Sequence, residues 1–365
     1  MQRNPGIDNI RIFLIALVII HHAAIAYGGS GGWYWREIAD SSNTWLVALN
    51  CIDQSFFMGL FFLLSGYYTK ASLGRKSLGP FLLDRGLRLG VPLVLFFFLL
   101  NPLTIALAIS PTLSTIGETF GRCLRDHNFG PGPLWFVWTL ILMTALSLIA
   151  EFLSRHRLPT IKSLPTFSPL LAILLAIGAI SFCIRLWVPV GKNVLWMQLG
   201  YFAPYIFLYA VGFLSFESRL LERISLRQCL PWFGLSSFAL ITLAYVFTFG
   251  LGKGSFHGGW NVNALYYAFW DPLFSCGVIL GLLWGFQAYW NHRDPKALWL
   301  SKFFARRSYA IFILHAPVLV ALSRTLHSFT LPPELKLLIA ASASFIICSL
   351  IASLLLKIPG VAKVI

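Results

Sequence analysis

An arginine and a histidine stand eleven residues apart in the first apolar stretch, "NIRIFLIALVIIHHAAIAYGG". On an α-helix Arg11 and His22 return to within roughly 20° of one face, about 16 Å apart along the axis. The neighbouring His21 points some 80° away. Ionisable groups are expensive in hydrocarbon, which makes each of them a functional hypothesis. An imidazole suits general-base or nucleophilic work on a hydroxyl. The bland readings are an arginine that snorkels to the headgroups and a histidine that hydrogen-bonds a neighbouring helix. The shared face favours a joint role for Arg11 and His22 over either residue's own.

Three further segments carry chemistry. Asp53 lies in "NCIDQSFFMGLFFLLSGYYTK", at a depth expected to match His22. A carboxylate there would fix an imidazole tautomer and raise its basicity, or else form a structural ion pair. His315 lies in "RRSYAIFILHAPVLV". It lines a site, or it bonds a carbonyl freed by Pro317. In "FLLDRGLRLGVP", Arg85 and Arg88 share one helical face. Forked guanidiniums suit phosphate, and basic residues at a membrane surface also meet anionic lipid. The sequence carries no Walker loop, GxGxxG, HExxH or GxSxG, which removes the warrant for several enzyme classes. Its six cysteines are scattered without a CxxC, so no metal site is expected.

Helices in lipid must position these groups. The chain of 365 residues is 58% hydrophobic and 11% charged, with a mean hydropathy of +0.76. A soluble domain averages about 25% charged residues, so the composition is that of a polytopic membrane protein. The fold class expected is all-α, a bundle of about ten transmembrane helices in one domain over 1–365. The spans fall near 8–28, 45–68, 89–110, 134–153, 168–188, 199–217, 231–251, 264–289, 307–324 and 335–356. The first apolar run imitates a cleaved leader, with Arg3 before it, but the histidine pair and the later spans favour a retained helix.

Charge tests the count. With both termini cytoplasmic, 20 Lys+Arg fall on the inner side, Arg11 and the termini included, and 8 on the outer, those in the outer ends of spans included. That asymmetry supports ten spans and accounts for the net charge of +15 without nucleic acid. Trp33, Trp35, Trp135, Trp187, Trp196 and Trp299 fall near span boundaries, as an interfacial belt requires. The "WYW" at 33–35 also suits a sugar face.

Taken in order, these segments resemble the membrane acyltransferase-3 family, in particular its glucan biosynthesis protein C branch. "GIDNIRIFLIALVIIHH" is similar to the family's first helix, an arginine and then a histidine after ten residues, at Arg11 and His22. "FLLDRGLRLGVPL" resembles its paired-arginine segment, at Arg85 and Arg88. "GPGPLWFVWTLIL" is similar at Leu134–Phe136, and "SYAIFILHAPVLV" resembles the late histidine helix at His315. "QLGYFAPYIFLYAVGFL" is similar to the glucan branch.

The resemblance implies an O-acyltransferase of a bacterial inner membrane. Acyl-CoA, as acetyl-CoA or succinyl-CoA, would be the donor, its phosphates held by Arg85 and Arg88 with Arg11. A glycan or lipid-linked sugar outside would accept the acyl group. His22 would be general base or acyl carrier, Asp53 its partner, with Arg11 in the catalytic set. His315, Trp135 and His21 would line the substrate pocket among membrane lipids. Buried Arg, His and Asp also suit a proton-coupled transporter or channel, the second reading, for which the sequence shows no internal repeat.

Overall fold

The computed structural model describes residues 4–155, 157–291 and 295–365; Arg3 lies outside them. Within hydrocarbon every backbone N–H and C=O must find a partner inside the protein, and a helix satisfies them locally. The apolar runs accordingly fold as helices, and no strand occurs among the described residues. They are α1 Pro5–Ala26, α2 Thr44–Leu73, α3 Leu78–Ile109, α4 Ile116–Arg125 and α5 Trp135–Leu153. Then follow α6 Phe167–Trp187, α7 Leu199–Ser215, α8 Leu226–Phe249, α9 Val262–Tyr289, α10 Pro295–His327 and α11 Pro333–Leu355.

Among the described residues nine helices are long and apolar enough to cross a membrane. The tenth expected span, 199–217, folds as the shorter apolar helix α7. The third span begins earlier than the hydropathy suggests. It takes in the arginine pair as its first turns.

Two turns of α3 are widened. The Val91 N–H bonds the Gly86 carbonyl and the Asn101 N–H bonds the Phe96 carbonyl, each five residues back. Pro92 and Pro102 stand immediately after these turns. A proline lacks the N–H and its ring crowds the carbonyl four residues behind, so the helix opens by one residue rather than breaking.

The chain resolves into two compact units. One comprises residues 1–10, 54–77 and 142–292. Its described part holds most of α2, the end of α5, and α6 to α9. Inside it α2 and α7 cross at glycines: a Cβ on Gly66 would lie 2.1 Å from the Tyr209 carbonyl oxygen, and one on Gly212 would lie 1.9 Å from that of Leu63. Packing in lipid is driven by such close approach of backbones.

The other unit comprises residues 11–53, 78–141 and 293–365. Its core is α10 against α11 and the end of α3. The Arg324 guanidinium donates to the Leu107 carbonyl at 2.6 Å, a cation on the last turn of α3. Every candidate site residue read from the sequence falls in this second unit.

Candidate active site

The chain folds back over the end of α1. The Gly29 N–H bonds the Ala24 carbonyl, and the Glu37 N–H bonds the Ala26 carbonyl, both at 2.8 Å. These bonds satisfy carbonyls that a helix end leaves open. Lys336 of α11 reaches Glu37 at 2.5 Å and ties the returning loop to the bundle. The loop so held lays Trp33 on His22, ring centroids 4.1 Å apart and planes 23° from parallel. His315 of α10 joins them, 5.2 Å from His22 and 6.0 Å from Trp33, again nearly parallel.

Hydrogen bonds order the protons on these rings. His315 Nδ1 lies 2.6 Å from the Phe312 carbonyl oxygen. That oxygen only accepts, so Nδ1 carries the hydrogen and Nε2 of the neutral ring is left with a lone pair. His22 Nδ1 lies 3.3 Å from this Nε2 and is therefore the donor of the pair. With its proton on Nδ1, His22 presents a basic Nε2. His21 and His315 are buried, at 6% and 0% exposure, whereas His22 is half-buried, so it alone of the three is open to a substrate.

Asp53 belongs to a different pair. Its Oδ2 lies 3.7 Å from His21 Nδ1, so the carboxylate expected beside His22 faces the other histidine. Successive residues on α1 point about 100° apart, and α2 meets the His21 face. Asn50 completes that contact. Its amide nitrogen is 3.1 Å from His21 Nδ1 and 3.0 Å from the His21 carbonyl oxygen, and its oxygen accepts the Ser30 N–H at 3.0 Å. His21 is thus held inside the bundle and not at the open surface of a pocket. The bond His315 makes is to Phe312, while Pro317 frees the carbonyl of Ile313, so the proline is not its cause.

Sequence reasoning passed over Asn101 and Tyr34. The Tyr34 hydroxyl donates to Asn101 Oδ1, and Asn101 Nδ2 donates to the Asn128 carbonyl at 3.3 Å. Burial pushes the Tyr34 phenol above its usual range, so it stays a donor. Gly132 leaves room for that hydroxyl, since a Cβ there would come within 2.1 Å of it. Asn101-Pro102 inside an apolar run was the available signal.

Arg11 is half-buried on α1. The Arg85 guanidinium lies 5.3 Å from the Phe81 ring, and exposed Arg88 pairs with Asp84 at 3.1 Å, both on the first turns of α3. Trp135 is half-buried at the start of α5, and its neighbour Phe136 is the residue that meets Phe312, edge to face at 6.1 Å.

The family model described as an acyltransferase domain, acyltransferase-3, matches residues 4–357. The chain belongs to the acyltransferase-3 family. This acyltransferase is similar to glucans biosynthesis protein C of Escherichia coli K12, with 27% identity over 275 residues, 69% of this chain and 68% of the relative. The protein of the same name from Shigella dysenteriae serotype 1 is similar to the same extent. No solved structure matches the chain. The acyltransferase is an integral, multi-pass membrane enzyme moving acyl groups to oxygen. An imidazole with a lone pair on Nε2 is the group such a transfer needs to take a hydroxyl proton.

Proposed function

We propose that the enzyme moves an acyl group from cytoplasmic acyl-CoA to a hydroxyl of a glycan or lipid-linked sugar outside. The membrane is the bacterial inner membrane, and both termini lie in the cytoplasm. The observation that carries the mechanism is the half-buried His22, oriented through His315 by the Phe312 carbonyl. The acceptor O–H gives its proton to His22 Nε2 while its oxygen attacks the thioester carbon. The carbon–oxygen bond forms, the carbon–sulfur bond breaks, and the proton passes from His22 to the departing thiolate. A base so placed contributes about 10²–10⁴-fold.

Arg85 and Arg88, with Arg11, are assigned to the phosphates of acyl-CoA, which forked guanidiniums bind as paired donors. Asp53 and His21 support the α1–α2 contact behind the base. Trp135 belongs to the walls of the pocket, and His315 stands behind His22 and orients it. Acetyl is the expected acyl group for the family, and succinyl is the second. The similarity to glucans biosynthesis proteins makes a glucan the first acceptor to try.

The test uses purified protein in nanodiscs with labelled acetyl-CoA or succinyl-CoA and gluco-oligosaccharides. Thiol release that depends on the glycan, with label on the sugar, supports the reading. Turnover unchanged by His22→Ala removes the mechanism. Solute flux in liposomes without acyl transfer returns the molecule to the transporter reading.

A further inference from the structure

The unit of residues 1–10, 54–77 and 142–292 contains a second polar centre that the acyl-transfer chemistry does not use. Arg185, near the end of α6, is 0% exposed. Its Nη2 donates to Asp271 Oδ2 of α9 at 3.0 Å, and its Nε donates to the Gly200 carbonyl at 2.9 Å. The guanidinium carbon lies 5.3 Å from the Tyr201 ring and 4.8 Å from the Tyr267 ring. The hydroxyls of those two tyrosines are 3.3 Å apart.

Two buried polar atoms here have no hydrogen-bond partner among the described residues. One is Arg185 Nη1 and the other is the Oγ of Ser181, one turn back on α6 and 1% exposed. A buried ion pair that serves only to join helices is expected to satisfy all its donors, because an orphaned N–H forfeits about 1–3 kcal/mol. Two such atoms on one face of one helix point to a missing polar group. Charge says what kind. Asp271 already balances Arg185, so a full anion would leave the buried site net negative. A neutral molecule with several hydroxyls fits. It can accept from Nη1, exchange bonds with Ser181 and the tyrosine hydroxyls, and lie against aromatic rings.

We infer that Arg185, Ser181, Tyr201, Tyr267 and Asp271 form a binding subsite for a neutral sugar residue. This rests on the glycan-acceptor reading and locates a place on the chain where such an acceptor is held. The connections that close this end of the unit meet each other, with the Val190 N–H on the His257 carbonyl at 2.8 Å.

The experiment titrates neutral glucotetraoses of defined linkage into the full-length protein in nanodiscs by calorimetry. Ser181→Ala and Tyr267→Phe each remove one hydroxyl and keep the Arg185–Asp271 pair. An unchanged melting temperature establishes that both variants fold. Each is expected to raise Kd about five- to tenfold, the loss of one hydrogen bond. With acyl-CoA present, KM for the sugar should rise and kcat should hold. Wild-type Kd in both variants overturns the site, as does absence of binding to the wild type or binding of carboxylated oligosaccharides alone. If glycan-dependent thiol release persists while both variants bind as wild type, the subsite is wrong and the acyltransferase reading stands. If sugar binds through Ser181 and Tyr267 without acyl transfer, the subsite stands and that reading falls.

Discussion

His315 Nε2 faces His22 Nδ1 at 3.3 Å, and the proton between them belongs to His22. The Phe312 carbonyl settles this from one turn away by holding the one ring N–H of neutral His315 on Nδ1. A backbone oxygen thereby selects the tautomer of a residue on another helix. When His22 Nε2 takes up the acceptor's proton, the Nδ1–H keeps its bond to that lone pair, so the ring holds its orientation through the transfer.

His315 is therefore a positioning residue. His315→Ala should lower kcat by tens- to a hundredfold and leave KM for acyl-CoA within about twofold. His22→Ala should lose about 10²–10⁴-fold. The double variant should fall no further than His22→Ala, because both changes remove one unit. Initial rates over a matrix of both substrates decide it, and multiplicative losses would argue against the coupling.

The base works only unprotonated, so the rate should fall as pH drops through the His22 titration. The residual activity of His22→Ala should lack that acidic limb. Asp53 faces His21 instead, so Asp53→Asn should keep the limb at the same pH and reduce the rate less than tenfold. A limb displaced in Asp53→Asn would show that the carboxylate acts on His22 after all.

Trp33 covers one part of His22, and its buried indole N–H has no partner among the described residues. Trp33→Phe keeps a ring but removes the donor. Trp33→Ala removes both and opens the base to water. The alanine variant should raise acyl-CoA hydrolysis relative to transfer severalfold, as expected where a stacked ring excludes solvent. The phenylalanine variant should lower transfer without raising hydrolysis. Thiol release counted against labelled sugar separates the two.

The Gly66 and Gly212 contacts make a prediction about stability. Gly66→Ala or Gly212→Ala places a methyl group against a carbonyl oxygen, and a packed crossing gives way at about 1–3 kcal/mol. Melting in detergent should fall for each, and the double variant should lose less than the sum, since one separation of α2 from α7 relieves both.

What could be read in advance followed from distances within one helix. The 20° between Arg11 and His22 and the 80° to His21 needed only helical geometry, and the spans needed only hydropathy. The partners of those residues lie on other helices, at rotations that a single sequence does not specify. Asp53 was visible as a buried carboxylate, yet which histidine it meets depends on how α2 turns against α1. Arg185 and Asp271 sit 86 residues apart in separate apolar runs, and only the fold joins them. Trp33 carried a signal in "WYW", but its stacking partner is fixed by a loop held through backbone hydrogen bonds, which side-chain pattern does not encode.

The two widened turns of α3 act as a vernier. Each inserts about one residue, and one residue is roughly 100° of azimuth and 1.5 Å of rise on a helix. The direction in which Asn101 points, relative to the arginines at the other end of the same helix, is thus set by insertions and not by side-chain contacts. Substitution within Phe96–Leu100 leaves that phase intact. Deleting a single residue there would straighten the turn, swing Asn101 away from Tyr34, and release one tether of the loop that carries Trp33 without altering any residue that touches His22.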